Sequence, residues 1–401
     1  MSAAAGEAAR VRPDPGIRTP TVLISVGEAS GDHAAAGLVR EALARRPEVR
    51  FFGLAGPEMV REGVEPLVAS AEVAVVGIQE VVGRLPRIWK AWRTLSGAMA
   101  TRRPDLVLLV DYPDFNLRLA RRARRLGIPV LYFVSPQVWA WRAGRIEMIG
   151  RRVNRMMVLF RFEEELYRAK GIPVEWVGHP LAGGPPPLSR AVSRVRLGLP
   201  PEARVIALLP GSRRGETDRI LPVLRDAAIL LAREDPGIRF LLPAAPMLDP
   251  GELRAGCAGS PVEIVAGDLP AVLGASDAAA VASGTATLQV ALASVPMVIV
   301  YRVGGLTAMI ARRLIRVRDV GLANLVAGRR VAEELVQEAC TPARVAGALR
   351  WLLEPEAAES ARRGLALVRE RLGEEGAFRR AAAVTLGMIE GTVAGPGDFS
   401  V

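Results

Sequence analysis

The chain has 401 residues, half of them hydrophobic and 24% charged, so it is long enough to bury two cores of ordinary domain size. The formal net charge is +11, and Lys90 and Lys170 are the only lysines, so the positive charge is nearly all arginine and favours anionic partners such as nucleotides, sugar phosphates or acidic headgroups. Two cysteines, Cys257 and Cys340, and two histidines, His33 and His179, leave no disulfide framework and no zinc-site spacing.

Residues 1–19 carry no apolar run of the kind a signal peptide needs and read as a disordered extension. From 20 to 177, apolar runs ("TVLISV", "VRFFGLA", "DLVLLVDY", "PVLYFVS", "RMMVLF", "VEWVG") alternate with helical patterns. Such alternation predicts a parallel sheet covered on both faces, a Rossmann-like first domain. Proline and glycine break the pattern over 178–194, which reads as a linker. The alternation restarts over 195–370 as a second Rossmann-like domain, with a helix and tail over 371–401 expected to pack back on the first. The expected fold class is therefore α/β, two doubly wound domains facing a cleft. Residues 278–301 carry no charge and could pass for a membrane span, but "SGTATLQ" and Pro296 divide them into strand, helix and strand, a buried βαβ unit.

In open α/β sheets ligands sit beyond the carboxyl ends of the strands. The sequence has no GxGxxG, no Walker A loop, no GxSxG elbow and no DxD, so a diphosphate here would be neutralised by arginine and backbone N–H groups, without a metal. The second half supplies such groups. "LLPGSRRGE" places Gly211, Ser212 and Arg213 after a strand, and "VASGTATLQ" places Ser283, Gly284 and Thr285 at a helix start, where free amides favour an anion. Gln289 follows Thr285 by one turn and falls on the same face, within reach of a ribose or of a polar core contact.

The first half supplies acids. "GEASGDH" at 27–33 brings Glu28, Ser30 and Asp32 after the first strand, and "LVLLVDYPDFN" ends a buried strand on Asp111, a candidate general base. Asp114 fits a helix-capping role better. "VSPQVWAWR" adds Ser135, Gln137, Trp139 and Trp141, suited to a sugar or acyl site or to packing. Residues 75–92 have apolar positions at helical spacing with Arg84, Arg87 and Lys90 between, the pattern of a core-facing helix or of a basic amphipathic surface that touches lipid.

Taken in order, "GEASGD", "VVGIQEVVGRL", "VDYPDFN", "YFVSPQVWAWR", "VGHPL", "LLPGSR", "ASGTATLQ" and "LANLVAGRRVAEELVQ" resemble the lipid-A-disaccharide synthases, glycosyltransferase family 19, of GT-B fold. The resemblance implies an inverting, metal-independent transfer of diacylglucosamine from its UDP donor to diacylglucosamine 1-phosphate, giving lipid A disaccharide 1-phosphate and UDP. Asp111 would be the base, with Glu28 supporting or sharing that role. Gly211, Ser212, Arg213, Ser283, Gly284, Thr285, Gln289, Asn324 and Gln337 would hold UDP. Ser30, Asp32, Val76, Gly77, Ile78, Ser135, Gln137, Trp139 and Trp141 would meet acceptor or acyl chains.

No cofactor is implied. The implied partners are the two lipid-linked sugars and the cytoplasmic face of the inner membrane of a Gram-negative-type bacterium, with no nucleic acid and with homodimerisation left open. The family usually has glutamate where Gln289 stands, and Tyr112 is a lesser variation. Another GT-B UDP-sugar enzyme with a different lipid acceptor, or an inactive lipid-binding paralogue, remains the alternative.

Overall fold

The computed structural model describes residues 19–73, 78–138, 144–304 and 319–391, and within the helix that begins at Ile78 the side chains of 78–84 lie outside the description. The first sheet is built from β1 (Thr21–Val26), β2 (Arg50–Ala55), β3 (Glu65–Ala69), β4 (Leu106–Val110), β5 (Val130–Phe133), β6 (Arg155–Val158) and β7 (Val174–Trp176). Its spatial order is β3-β2-β1-β4-β5-β6-β7. The helices between are α1 (Ala29–Arg45), α2 (Pro57–Arg61), α3 (Ser70–Val73), α4 (Ile78–Arg102), α5 (Pro113–Arg125), α6 (Arg145–Arg152) and α7 (Arg161–Arg168). The central strands β1 and β4 are apolar on both faces and almost wholly buried, as strands covered by helices on each side must be.

The second sheet has β8 (Arg204–Leu209), β9 (Ile238–Ala244), β10 (Val262–Ala266), β11 (Ala278–Ala282), β12 (Met297–Tyr301) and β13 (Glu333–Val336), in the order β10-β9-β8-β11-β12-β13. Its early helices are α8 (Arg190–Arg196), α9 (Arg214–Glu234), α10 (Pro250–Gly256), α11 (Leu269–Ala275) and α12 (Thr285–Leu292). The uncharged stretch 278–301 is the β11–α12–β12 unit its punctuation predicts. Among the described residues no helix is long and apolar enough to cross a membrane.

Counted from the first strand of each, both sheets run 3-2-1-4-5-6, with a seventh strand added in the first, the order in which a crevice opens between strands one and four because the chain leaves them in opposite directions. In the first sheet that crevice lies between β1 and β4, and in the second between β8 and β11.

Two compact units divide the chain: 1–136, 149–157 and 378–401 form one, and 137–148 with 158–377 the other. The stretch 178–194, read from sequence as a linker, lies wholly in the second unit. Arg194 at its end explains why: the side chain is buried, pairs with Asp277 at 3.1 Å and donates to the Ala275 carbonyl at 3.3 Å. The C-terminal helix Ala377–Ile389 falls mainly in the first unit, where Phe378 covers Gly37 of α1 so closely that a side chain there would overlap its ring.

Candidate active site

In the first crevice Val26 and Val110 are register partners at the ends of β1 and β4, so the turn from Gly27 and the turn from Asp111 leave the sheet side by side. Gly27 is held bare by its neighbour: a Cβ would overlap the ring of Tyr112. That close approach sets Glu28 beside Tyr112, whose phenol is pushed up in pKa by burial and then by the charges of Glu28 and Asp114.

Asp111 and Tyr112 have φ of 47° and 49°, two successive side-chain-bearing residues in the left-handed region. Strain of this kind persists only where surrounding contacts over-determine it. Here the Asp111 carbonyl accepts from Tyr132 Oη at 2.6 Å and from Asn116 Nδ2 at 2.7 Å. The Asp111 amide donates to the Phe133 carbonyl at 3.0 Å, and Tyr112 Oη donates to the Val73 carbonyl at 3.0 Å. Asn116 is fully buried and in turn accepts from Ser25 Oγ at 2.7 Å, tying β1 to the first turn of α5. These hydrogen bonds fix the backbone of the Asp111–Tyr112 turn, and Asp111 itself is half-exposed. Asn116, Ser25 and Tyr132 stand inside the quoted motifs or their strands, yet no role was read for them; an amide among the apolar positions of α5 was the available signal.

Asp32 does something other than expected. It is buried, and its carboxylate accepts from the amides of Glu58 at 2.9 Å and Met59 at 3.2 Å, capping α2. Each oxygen thus accepts one amide of the first turn of α2, a structural role that the sequence did not suggest for Asp32. Ser30 is exposed in the first turn of α1, and Gln137 is exposed. Ser135 is buried, with Oγ donating to the Pro136 carbonyl at 2.9 Å. Val76, Gly77, Trp139 and Trp141 lie outside the described residues, as does the side chain of Ile78.

In the second crevice Leu209 of β8 partners Val281 of β11, so Gly211 and Ser283 follow at nearly the same level. Gly211 has φ of 119°, which a residue with a Cβ adopts only under strain, and a Cβ would also overlap the Glu216 carboxylate. Glu216 sits in the first turn of α9 and accepts from the Ser212 amide. Burial pushes its carboxyl up, against the pull of that amide and of Arg213. It also raises Tyr301, whose shift comes first from burial. Glu216 went unnoticed in the sequence, although a glutamate three residues into a helix after "GSR" is a capping signal.

Arg213 and Ser212 are exposed at the start of α9. Gly284 precedes α12 with no side chain capping the helix, and Thr285, its first residue, is exposed. Ser283 donates its Oγ to the Val320 carbonyl at 2.8 Å, and Gln289 is half-buried one turn into α12. Gln337 follows β13 with φ of 54°, another non-glycine residue at positive φ just beyond a strand, as Val134 is beyond β5.

Asn324 corrects the expectation of a donor contact. It is 1% exposed, donates to the Ala332 carbonyl at 2.9 Å and Glu334 Oε1 at 2.7 Å, and accepts from the amides of Val331 at 2.7 Å and Ala332 at 2.9 Å. Two donors and two accepting pairs exhaust its amide, so it holds the turn before β13 and has nothing left for a ligand. Glu334, overlooked in the sequence, completes that lock by accepting from the Val320 amide at 2.8 Å and the Gly321 amide at 2.9 Å.

The profile of the lipid-A-disaccharide synthetase family matches residues 22–385. The chain belongs to that family. Lipid-A-disaccharide synthase of Geobacter metallireducens is 47% identical over 372 residues, 92% of this chain and 97% of the relative. The synthase of Myxococcus xanthus is 47% identical over 374 residues, 92% of this chain and 98% of its own. Among solved structures, a UDP-N-acetylglucosamine 2-epimerase of Listeria monocytogenes superposes with a TM-score of 0.62 at 14% identity, covering 96% of this chain and all of that one. The calicheamicin glycosyltransferase CalG4 gives 0.60 at 19% identity, covering 94% and 100%. At such identities these two establish the fold, a pair of Rossmann-like domains as in GT-B glycosyltransferases. Membership of the synthetase family makes the chain a glycosyltransferase of lipid A biosynthesis.

Proposed function

We propose that the enzyme transfers 2,3-diacylglucosamine from its UDP donor to 2,3-diacylglucosamine 1-phosphate, with inversion and without a metal. In this reading the first crevice takes the acceptor and the second takes UDP. The Asp111 carboxylate receives the proton of the acceptor hydroxyl as its oxygen attacks the anomeric carbon from the face opposite UDP. The bond from that carbon to the diphosphate oxygen breaks with its electron pair, and UDP departs. Glu28 adds negative charge beside the base, which keeps the proton on that side of the reaction.

The charge that grows on the departing diphosphate meets Arg213 and the uncapped amides at the start of α12. Donors of this type, fixed before the reaction, do the work that a divalent cation does under a diphosphate in other transferases. The lipid-linked substrates place the enzyme on the cytoplasmic face of the inner membrane, with the amphipathic α4 toward acyl chains or leaflet.

The observation that carries the reading is the over-determined, strained Asp111–Tyr112 turn level with the Glu28 turn, in a chain of this family. The test is disaccharide formation in detergent with EDTA, from UDP-2,3-diacylglucosamine and 2,3-diacylglucosamine 1-phosphate, comparing wild type with Asp111→Ala. Product from wild type and nearly none from the variant is expected. No product from a wild type that still binds UDP would overturn the acceptor assignment; activity only after cation is restored would overturn the metal-free step.

A further inference from the structure

One carboxylate at the second crevice has no part in the reaction as proposed above. Glu216 stands half-buried in the first turn of α9, packed against the turn that Gly211 opens. A Cβ on Gly211 would overlap both the carboxylate and the Cγ of Glu216, so the glycine leaves that space to the glutamate. Glu216 accepts from the Ser212 amide, and its charge is drawn to Arg213. The same charge is felt by Tyr301 at the end of β12. In the sheet β11 lies between β8 and β12, so a carboxylate that bears on the ends of both outer strands belongs beside the end of β11, where Ser283 and Gly284 lead into α12.

A helix cap alone does not account for this placement. In a capping box the glutamate reaches back to the amide of the N-cap residue, which here is Arg213, whereas Glu216 reaches one residue further, to Ser212. Burial opposes its ionisation, and a neutral amide would accept from Ser212 without that cost. Of the charged groups around it, Arg214 pairs with Glu252 at 3.1 Å and Arg219 donates to the Gly215 carbonyl. Residues 278–301, which form β11, α12 and β12, carry no charge, and the Tyr301 phenol is itself pushed up by burial and stays neutral. Arg213 is therefore the cation that favours the charged form of Glu216. A diphosphate that engages Arg213 takes that support away and sets its own negative charge beside the carboxylate.

We infer that Glu216 is a positioning residue of the donor crevice: its hydrogen bond holds the Gly211–Arg213 turn in place for a diphosphate, and its charge limits how tightly the product UDP is kept. The inference rests on the reading above that UDP binds in this crevice. Transfer frees the terminal phosphate oxygen, so UDP carries one more negative charge than the diphosphate ester of the donor. A fixed carboxylate nearby weakens UDP more than it weakens the donor, and so favours exchange of product for fresh substrate.

The experiment is calorimetry of the full chain with UDP, and with UDP-2,3-diacylglucosamine in detergent, between pH 5.5 and pH 8.5. Glu216→Gln keeps an accepting oxygen and loses the charge. At pH 8 it is expected to bind UDP about tenfold more tightly than wild type and the donor about threefold more tightly. As pH falls the wild-type carboxyl takes up its proton, and the advantage of the glutamine shrinks toward none. Protonation of UDP itself is common to both proteins and cancels in the ratio of their affinities. Glu216→Ala loses charge and acceptor together, and should bind UDP about tenfold more weakly than Glu216→Gln, the worth of one hold on the turn.

A glutamine variant that binds UDP no better than wild type, a ratio that does not change with pH, or equal gains for UDP and donor overturns the inference. So does an alanine variant that matches the glutamine variant in UDP affinity while its Tm falls, because Glu216 is then a helix cap and nothing more. If wild type binds UDP and Arg213→Gln weakens that binding, such results bring down the role of Glu216 alone. A wild type that binds no UDP brings down the donor-crevice reading and this inference with it.

Discussion

The two crevices share one strand order and differ in almost everything that follows the strands. Beyond β1 and β4 the chain carries carboxylates, two successive residues at positive φ, and a buried hydrogen-bond lattice that fixes the backbone beneath them. Beyond β8 and β11 it carries a glycine at positive φ, exposed arginine, and a helix start with no side-chain cap. A topology common to both decides where a ligand can sit, and a handful of residues after each strand decides whether that place supplies a base or a cradle for negative charge.

The sharpest way to break the comparison is at Asp111. Asp111→Asn keeps the shape and removes the base, and kcat should fall about a thousandfold, the middle of the range for general-base catalysis. The dissociation constant for UDP, measured by calorimetry, should stay within about twofold of wild type, since that ligand belongs to the other crevice in the function proposed above. Equal loss of both would end the division of labour. Arg213→Gln is the mirror experiment. Removing one donor from the growing charge should cost about a hundredfold in kcat/KM and weaken UDP as well, with Tm unchanged because Arg213 is exposed.

Asn324→Ala separates structure from site within the second unit. It leaves the amides of Val331 and Ala332 without their side-chain partner and takes one hydrogen bond from the Glu334 carboxylate, which keeps those from Val320 and Gly321, a loss of roughly 3 kcal/mol. For a unit of this size that is near 10 °C in Tm. At temperatures where the variant is folded, UDP affinity should be close to wild type. A weak UDP site in a protein of wild-type Tm would return Asn324 to the donor pocket.

Acid should loosen the second unit through His179. Its ring is buried against Phe160, Nδ1 accepts from the Leu181 amide, and desolvation lowers the pKa from 6.5 to about 4. Above pH 6.5 the ring is neutral in both folded and unfolded chains and contributes nothing to pH dependence. As pH falls from 6.5 toward 4 the unfolded chain takes the proton and the folded one does not, so stability declines. At pH 5 this amounts to about 2 kcal/mol, from one and a half pKa units at 1.36 kcal/mol each. Thermal melts of His179→Gln between pH 7 and pH 4.5 should show a flatter decline than wild type, and parallel curves would remove His179 as the cause.

The strands that build the crevices were all legible, because β1, β4, β8 and β11 are mainly apolar runs bounded by turn residues. Two of the four edge strands, β3 and β13, were not: "EPLVA" and "EELV" are short and begin with glutamate, at sheet ends where one side needs no apolar cover. Within the sites, residue type alone does not show which side chains the fold itself uses. Asp32 and Asn324 are of the right type in the right motif, but Asp32 accepts from the amides of Glu58 and Met59, and the amide of Asn324 is used up by Val331, Ala332 and Glu334, partners that come from turns the sequence does not place beside them. Spacing along a chain shows which groups a turn offers and is silent on which of them the fold itself will use.

Gln289 carries the smallest and most pointed test, because it sets this chain apart from the glutamate that its resemblance to the family leads one to expect. It lies half-buried in the second turn of α12, near enough to the helix start for its dipole to favour a negative charge. A carboxylate there accepts from both hydroxyls of a ribose, whereas the amide accepts through one oxygen and turns a donor toward the other. Gln289→Glu should therefore tighten UDP about threefold to tenfold, the worth of one improved charged hydrogen bond partly offset by the desolvation of the carboxylate. The same substitution should leave binding of the acceptor lipid and the effect of Asp111→Asn untouched. Calorimetry with UDP, and with 2′-deoxy-UDP as the control that lacks one hydroxyl, gives the answer: a gain that survives loss of the hydroxyl comes from the helix field alone, and no gain with either ligand takes Gln289 out of the UDP site.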